Sequence, residues 1–474
     1  MELKDMEAGR VLEHFETLSG IPRCSGDEKR ISDYLRSFGE GLGLKSRQDE
    51  ALNVIIEKPG SDGYEDHPPV LLQGHMDMVC VKEEGSDFDF GVDSLKLVVK
   101  DNELRARGTS LGADNGIAVA MILAILEDVT LAHPPLVALF TTEEEVGLKG
   151  AARVDGRLIQ AGTLINIDSE EEGVFFSSCA GGVQVNFSRA IRRVPASMET
   201  AYELKVKGLK GGHSGLEIHH GRGNALKILG TLLYEVSDFI EIHSFSGGEK
   251  MNAIPKQAIC RFNAGGDLSE MVEAYQRNFL EIYGNVDPDM NLSLKEIPCE
   301  KEVYSREDQD RLLKVLWEFN HGVNTLSQDV QGLVESSVNL GVLEESDQGV
   351  KIVSSIRSSV KALKEALAEN LQTLGESQGF EVTLEGDYPA WPFDPDSRIR
   401  PLFLETYEEL TGRQGRVAAI HAGLECGLLI DKIPGLDAIS LGPNLREVHT
   451  PDEALDLKSV SPTFELIKRV LGRL

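Results

Sequence analysis

The sequence predicts an α/β protein in which a domain with a mostly parallel sheet is interrupted by an inserted α+β domain. Its 474 residues exceed the roughly 250 to 300 at which a single hydrophobic core stops growing. Short apolar strands alternate with helical stretches between residues 54 and 168, which is typical of a parallel sheet. After Cys179 apolar and polar residues alternate instead, which indicates strands with one solvated face.

The first α/β stretch is predicted to open with a helix. Ser25 and Glu28 have the spacing of a capping box, and apolar residues then recur at helical intervals from Ile31. A second helix is predicted over residues 117–126, where apolar residues dominate. Strands are predicted at 54–57, 70–72, 95–99, 136–140 and 164–167.

The inserted domain is predicted to hold two βαββαβ-like units. The first has strands near 203–207, 257–263 and 291–296, and helices near 224–238 and 269–282. The second has strands near 327–334, 350–356 and 380–385, and helices near 308–318 and 359–374.

The α/β pattern returns beyond Trp391, with a helix near 400–411, a strand near 437–441 and a last helix near 460–472. We therefore expect one discontinuous domain made of residues 1–186 and 395–474. Residues 187–394 form the inserted domain in this interpretation.

Composition excludes several classes of protein. The net charge of −30 repels phosphate backbones and anionic lipid, so neither nucleic acid nor a membrane is an expected partner. The N-terminal residues lack a signal-peptide pattern and no stretch of about 18 apolar residues occurs, which predicts a cytoplasmic protein. The six cysteines form no CxxC pair, and we expect them to be reduced.

Polar clusters follow the predicted strands of the first domain. His75 and Asp77 follow one strand, the triplet Glu143 to Glu145 follows another, and Asp168 follows a third. Asp114 also follows a strand, within the loop that leads to the helix at 117–126, and His449 lies in the last long loop. Because ligands bind outside the carboxyl ends of strands in open α/β sheets, these groups can converge.

Imidazole and carboxylate together suit Zn²⁺, Mn²⁺ or Co²⁺ better than Mg²⁺ or Ca²⁺. The charges also balance, since two divalent ions bring four positive charges, and Asp114, Glu145, Asp168 and one hydroxide bring four negative ones. One carboxylate would bridge two ions about 3.5 to 4 Å apart, and the spare glutamate could take a proton from the bound water.

Each group has a purely structural alternative when it is taken alone. Asp114 could cap the helix that follows it, and His449 could be an ordinary surface residue. Four such groups after apolar strands favour a functional site, because strands that need no charge should lead into neutral turns.

Six motifs, taken in order, resemble the aminoacyl-histidine (Xaa-His) dipeptidases of the M20 metallopeptidase family. The resemblance runs from about residue 10 to the C-terminus. The motifs are HMDMV at 75–79, GTSLGADNG at 108–116, TTEEEVGL at 141–148, NIDSEEEG at 166–173, GGHSG at 211–215 and EVHTPDE at 447–453.

The resemblance implies a dinuclear zinc peptidase, with Co²⁺ or Mn²⁺ as alternatives to zinc. It implies one ion on His75 and Asp168, the other on Glu145 and His449, and Asp114 as the bridge, followed by a cis peptide bond to Asn115. It further implies that Asp77 orients His75 and that Glu144 is the general base, which deprotonates a bridging water.

The resemblance makes the inserted domain a lid over the substrate. It implies that His213 reaches the oxyanion, and that Asn252 and Arg357 bind the substrate's C-terminal carboxylate. His421, in the stretch HAGLECG, is expected to line the substrate pocket. Each of these residues has a structural alternative without the resemblance. The glycine-rich segment around His213 could be a simple turn, and so could HAGLECG. Arg357 could be an exposed residue of an edge strand.

The function implied is hydrolysis of dipeptides, with preference for Xaa-His and including β-alanyl-histidine (carnosine). A broader M20 di- or tripeptidase or an amidohydrolase is the alternative, because the metal ligands do not encode the side chain of the substrate. A non-catalytic peptide-binding protein would lack a ligand or the base, and none is missing. The expected partner is a small peptide, and the chain is expected to be a monomer or a homodimer.

Overall fold

The structure is a computed structural model that describes residues 3–328 and 332–474. The chain divides into two compact units. The first contains the residues up to Cys179 together with Trp391–Ala419 and Leu424–Leu474, and the second contains Ala180–Ala390 and Ile420–Gly423. These boundaries precede those expected at 186/187 and 394/395, because the strand Gly181–Arg189 pairs along its length within the second unit.

The strands are numbered in chain order. They are β1 Lys45–Gln48, β2 Val54–Lys58, β3 Val70–His75, β4 Leu97–Lys100, β5 Glu103–Ala106, β6 Leu136–Thr141, β7 Thr163–Asn166, β8 Val174–Cys179, β9 Gly181–Arg189, β10 Arg193–Pro195, β11 Thr200–Lys207, β12 Gly212–His213, β13 Ile240–Gly247, β14 Ala253–Ile254, β15 Ala258–Ala264, β16 Asn291–Ile297, β17 Glu302–Tyr304, β18 Gly322–Leu326, β19 Val334–Ser346, β20 Gly349–Ser358, β21 Glu381–Tyr388, β22 Arg416–Ile420, β23 Asp437–Ser440, β24 Leu445–Arg446 and β25 Ala454–Asp456.

The α-helices are numbered in the same way. They are α1 Gly9–Ser19, α2 Lys29–Gly41, α3 Ala113–Glu127, α4 Lys149–Arg153, α5 Ala225–Glu235, α6 Ser269–Tyr283, α7 Arg306–Glu318, α8 Lys361–Ser377, α9 Ile399–Thr411, α10 Glu425–Lys432 and α11 Leu457–Leu471. Among the described residues, no helix is long and apolar enough to cross a membrane.

The first unit is built on a mixed eight-stranded sheet in the order β1-β2-β6-β3-β7-β23-β8-β22. Its central strands β6, β3, β7 and β23 are parallel neighbours, which confirms the predicted α/β domain. Helix α3 is apolar on all sides and is buried from Asn115 to Leu126, as a helix in the interior of a domain should be. The carboxyl ends of β3, β6 and β7 therefore lie at one edge of a rigid core.

The strand predicted at 95–99 does not belong to this sheet. It forms β4, which pairs with β5 in a separate four-stranded sheet. Strands at the centre of a parallel sheet are buried on both faces, whereas β4 is half-buried to exposed along its whole length.

The second unit is a nine-stranded sheet in the order β16-β11-β15-β13-β19-β20-β9-β21, with β18 beside β19. Every pairing in it is antiparallel. The two predicted halves share this one sheet, joined where Gly247 of β13 pairs with Leu343 of β19. Helices α5, α6, α7 and α8 occur at the predicted places and contribute to its core.

Strand β19 was not predicted as a whole. The predicted strand at 327–334 includes residues 329–331, which lie outside the described residues. The 13-residue strand β19 begins at Val334 and carries buried Ser336, Ser337 and Asn339. These polar residues interrupt the apolar alternation that marks a strand.

The capping box predicted at Ser25 and Glu28 is wrong. Helix α2 begins at Lys29 and makes no side-chain cap. The Ser25 hydroxyl instead donates to the Asp77 carboxylate at 2.8 Å, and the Glu28 carboxylate accepts the backbone N–H of Glu143 at 3.0 Å. Both side chains serve tertiary contacts rather than the helix that follows them.

The expectation that all six cysteines are reduced is also wrong, because Cys24 and Cys80 form a disulfide. The two cysteines are 56 residues apart in the sequence, but their Cα atoms lie only 5.6 Å apart. An isolated parallel β-bridge between Cys24 and Met78 places the chain around Cys24 beside the chain that leads to Cys80. The remaining four are free, with Cys299 exposed and Cys179, Cys260 and Cys426 buried.

Candidate metal centre

Six of the predicted polar side chains meet at the carboxyl ends of the central strands of the first unit. His75 ends β3, and the loops after β6 and β7 supply three carboxylates. The remaining two members stand at the start of α3 and in the loop between β24 and β25. The six are His75, Asp114, Glu144, Glu145, Asp168 and His449.

The carboxylate of Asp114 lies between the two imidazoles. Its Oδ1 is 3.1 Å from Nε2 of His75, and its Oδ2 is 3.2 Å from Nε2 of His449. Nε2 of His75 also lies 3.5 Å from Oδ1 of Asp168. Nε2 of His449 lies 2.9 Å from the carboxylate of Glu145. Asp114 thus presents one oxygen to each histidine, and the peptide bond that follows it is cis, as expected.

Three overlapping groups of side chains have ligand atoms within 4.8 Å of one another and could each hold a metal ion. Two of these groups share Asp114, and a third combines His75 with Glu144 and Glu145. Nitrogen and carboxylate oxygen are the donors of zinc-class ions. The residues therefore fit two such ions with Asp114 in common.

Asp77 contacts His75 and the backbone of the loop that carries Glu144 and Glu145. Its backbone carbonyl oxygen lies 3.2 Å and its carboxylate 3.4 Å from Nδ1 of His75, on the side of the ring away from Asp114. It also accepts the backbone N–H groups of Glu144 at 3.1 Å and Glu145 at 3.3 Å. A carboxylate behind a ligand histidine fixes the tautomer and the orientation of the ring. Asp77 thus links the loop after β3 to the loop after β6.

The site is strongly negative, and the pKa values reflect this. Burial, reinforced by Asp168, Glu425 and Glu145, raises the pKa of the Glu144 carboxyl well above its usual value. Hydrogen bonds to Asp114 and Glu145 raise the pKa of His449 to about 11. Excess negative charge of this kind favours the binding of cations.

The second unit gathers the other predicted residues. Strand β12, which ends at His213, pairs with β14, so that His213 lies opposite Ala253, next to Asn252. A Cβ atom added at Gly215 would lie 2.4 Å from the carbonyl oxygen of His421, 3.1 Å from Cε1 of His213 and 3.3 Å from Nε of Arg357. The structure therefore brings His213, Arg357 and His421 around one glycine.

The hydrogen bonds of His213 define its tautomer. Its Nδ1 accepts the backbone N–H groups of Gly215 at 3.2 Å and Leu216 at 3.1 Å. Burial, aided by the charge of Arg357, lowers the pKa of His213. The neutral ring must then carry its proton on Nε2, which leaves Nε2 as a hydrogen-bond donor.

Several residues of the two units were missed by the sequence analysis. The hydroxyl of Ser337 lies 2.7 Å from Nε2 of His421, and the hydroxyl of Tyr388 accepts a hydrogen bond from Arg357 at 3.1 Å. In the first unit, the fully buried Glu425 carboxylate accepts from Thr141 at 2.7 Å, and burial raises the pKa of Glu425 to about 8. Glu425 follows His421 in the HAGLECG stretch, and an acidic residue inside an otherwise apolar motif was its only signal.

The sequence also matches those of known peptidases. The sequence profile of peptidase family M20/M25/M40 matches residues 71–473. A protein of Escherichia coli (strain K12), named cytosol non-specific dipeptidase, is 35% identical over 99% of this chain and 98% of its own.

Solved structures are similar in fold as well. Aminoacylhistidine dipeptidase from Vibrio alginolyticus matches with a TM-score of 0.92 and 32% identity, over 100% of this chain and 98% of that one. Aminopeptidase PepT from Bacillus cereus matches with a TM-score of 0.57 and 16% identity over 98% and 97% of the two chains. The second likeness is one of fold alone.

We expect the protein to bind two zinc-class ions per chain, and metal analysis after dialysis measures this number. The change Asp114→Ala should reduce the metal content more than any other single ligand change, because Asp114 faces both histidines. Cys260→Ser provides a control at a buried side chain in the second unit, outside the cluster. Two retained ions in Asp114→Ala would exclude Asp114 as the bridge.

Proposed function

The chain belongs to peptidase family M20/M25/M40, and from this premise we propose that it is a dipeptidase that requires two divalent metal ions. The observation that carries the proposal is the shared carboxylate of Asp114, with one oxygen toward each histidine. The similarity to two proteins named as dipeptidases, each over nearly the whole chain, supports the reaction class.

We assign His75 and Asp168 to one ion, Glu145 and His449 to the other, and Asp114 to both. The short distances within each group support this assignment. We propose zinc as the metal, with Co²⁺ or Mn²⁺ able to replace it, since sites of imidazole and carboxylate accept several of these ions. When bound, two such ions would polarise the scissile carbonyl and lower the pKa of the attacking water.

We assign the general base to Glu144. Its carboxyl lies beside the cluster, 3.9 Å from Nε2 of His75. Its raised pKa means that it can hold a proton after taking one from the water. The proton then passes to the nitrogen of the departing amine. Asp77 keeps His75 in the tautomer whose Nε2 has a free lone pair.

Roles for the second unit follow from its side chains. Nε2–H of His213 is a neutral donor suited to an oxyanion. Arg357 is held by Tyr388 and offers a guanidinium to the free carboxylate of a dipeptide. We assign Asn252 to the same carboxylate, since it precedes Ala253, the residue that pairs with His213. We place His421 in the same pocket because its carbonyl oxygen and the Arg357 guanidinium both border Gly215.

We propose Xaa-His dipeptides, including carnosine, as the preferred substrates. The name of the Vibrio alginolyticus protein supports this preference. The name of the Escherichia coli relative favours the broader alternative, a dipeptidase without preference for histidine. That relative's name also supports a cytoplasmic location for this protein.

A panel of dipeptides separates the two specificities. We expect Xaa-His dipeptides to have higher kcat/KM than Xaa-Leu and Xaa-Gly dipeptides with the same first residue. Activity should disappear on chelation and return with Zn²⁺, Co²⁺ or Mn²⁺. Equal kcat/KM across the panel would assign the protein to the broader dipeptidases, and activity that survives complete removal of metal would exclude the proposed chemistry.

The two glutamates that follow β6 should respond differently to loss of charge. Glu144→Gln should keep both ions and lower kcat by roughly 10² to 10⁴, the usual contribution of a general base. Glu145→Gln should instead lower the metal content, because it removes a charged partner of His449. Parallel measurement of kcat and metal content distinguishes base from ligand. A Glu144→Gln enzyme with normal kcat would move the base elsewhere, with Glu143 the first alternative.

The guanidinium of Arg357 should make the enzyme sensitive to the charge at the substrate's C-terminus. Amidation of a good dipeptide removes that charge, and an unpaired partner of this kind costs about 2 to 5 kcal/mol, or roughly 30-fold to several thousand-fold in kcat/KM. Arg357→Ala should lose a similar factor on the free acid and little more on the amide, because one interaction cannot be removed twice. Equal turnover of acid and amide by the unmodified enzyme would contradict the assignment.

A further inference from the structure

Two buried charged residues contact the loop that carries Asp114 but are not among the proposed metal ligands. Glu453 is 2% exposed and Arg23 is 2% exposed. Neither belongs to the groups of side chains that could hold a metal ion. A charged group is rarely buried to this extent unless polar partners compensate it, so the partners of each residue indicate its role.

The carboxylate of Glu453 accepts four consecutive backbone N–H groups. Its Oε2 accepts from Leu111 at 2.8 Å and Gly112 at 2.9 Å, and its Oε1 accepts from Ala113 at 2.8 Å and Asp114 at 3.3 Å. These four residues lead directly into the carboxylate that faces both histidines. The position of the Asp114 backbone therefore depends on Glu453.

Glu453 also belongs to the loop that carries the other metal-facing histidine. It follows His449 by four residues, and its N–H donates to the carbonyl of Thr450 at 3.2 Å. His449 adopts a left-handed backbone with φ of 63°, a conformation that a non-glycine residue keeps only when its surroundings enforce it. Glu453 thus connects the His449 loop to the Asp114 loop.

Arg23 connects the Asp114 loop to the third loop of the centre. Its Nη2 donates to the carbonyl of Gly112 at 2.5 Å, and its Nη1 donates to the carbonyls of Met76 at 3.2 Å and Asp77 at 3.3 Å. Met76 follows His75 directly in the chain. Burial lowers the pKa of Arg23 to about 10, so the guanidinium remains charged at neutral pH.

Two glycines make room for this guanidinium. A Cβ atom at Gly112 would lie 2.5 Å from Nη2 of Arg23, and one at Gly116 would lie 2.6 Å from the same atom. Gly112 also has a φ of 66°, which L side chains rarely adopt. The GADNG motif is therefore shaped around Arg23 as well as around Asp114.

We propose that Glu453 and Arg23 are positioning residues that hold the loops of His75, Asp114 and His449 in the geometry that binds two metal ions. The inference rests on the proposed metal centre and adds two residues that set its affinity without touching the ions. Partners behind the ligands of a metal typically contribute 10- to 100-fold to metal affinity or activity.

The variant Glu453→Gln tests the proposal with little change in volume. An amide leaves one oxygen to accept, and its NH₂ group faces two backbone N–H groups in either orientation, so two of the four hydrogen bonds are lost. We expect the apparent affinity for Zn²⁺, measured by competition with a chelator, to fall by about 10- to 100-fold. The absorption spectrum of the Co²⁺-loaded protein should also change, because the spectrum reports the geometry of the ligands.

Asp437→Asn is a matched control. The Asp437 carboxylate accepts the backbone N–H groups of Arg398 at 2.7 Å and Ile399 at 3.0 Å, at the start of α9 in the same unit. It lies outside the metal groups. In Asp437→Asn the remaining oxygen can still accept both N–H groups, so the variant removes only the charge. Weaker charge-assisted bonds should lower the unfolding temperature and leave both the Zn²⁺ affinity and the Co²⁺ spectrum unchanged.

Arg23→Lys tests the second positioning residue of the proposal. It allows metal affinity to be measured even if the Glu453 variant fails to fold. An ammonium cannot reproduce the planar fork that holds carbonyls of two loops, and we expect weaker Zn²⁺ binding here too. The proposal is overturned if the folded variants match the unmodified protein in affinity and spectrum and lose only stability, as Asp437→Asn does. An unmodified protein that binds no metal would instead overturn the proposed function.

Discussion

Carboxylates crowd together at the carboxyl ends of β3, β6 and β7, and their mutual repulsion is the constraint that the first unit must satisfy. Two unit charges 4 Å apart repel by about 4 kcal/mol at an effective dielectric constant of 20. Asp114, Glu144, Glu145 and Asp168 all lie around the same two imidazoles. The protein supplies Arg23 as a buried cation near these carboxylates, and the proposed pair of divalent ions would supply the rest.

Several buried acidic residues around the centre accept backbone N–H groups from its loops and so connect these loops to other segments. Glu28 accepts the backbone N–H of Glu143, and Asp77 accepts those of Glu144 and Glu145. Glu453 does the same for the residues that lead to Asp114. Each of these carboxylates joins two segments that are distant in sequence. The loops that carry the proposed metal ligands are therefore held by hydrogen bonds to other parts of the chain. A charge-assisted bond to backbone N–H is among the stronger hydrogen bonds in proteins.

Sequence periodicity and motif spacing could predict what is local. Strands β3, β6 and β7 were predicted from apolar runs, and the polar groups at their ends followed from the rule that ligands bind there. Features that depend on distant partners could not be predicted in this way. Ser25 and Glu28 have the spacing of a helix cap, yet Asp77 and Glu143 take their hydrogen bonds. Cys24 and Cys80 likewise meet only after the segment before α2 aligns with the end of the Asp77 loop.

The side chains around Gly215 in the second unit, His213, Arg357 and His421, differ from the acidic cluster because their charge is positive. Burial and the charge of Arg357 lower the pKa of His421 to about 3 and lower that of His213 as well. The lowered pKa values favour the neutral form of both imidazoles, and the guanidinium of Arg357 lies beside them. A single fixed guanidinium among neutral donors matches one carboxylate, whereas a cluster of cations would also attract larger anions. Because the neutral form of both rings is favoured, the proposed carboxylate site relies on the charge of Arg357 rather than on a protonated histidine.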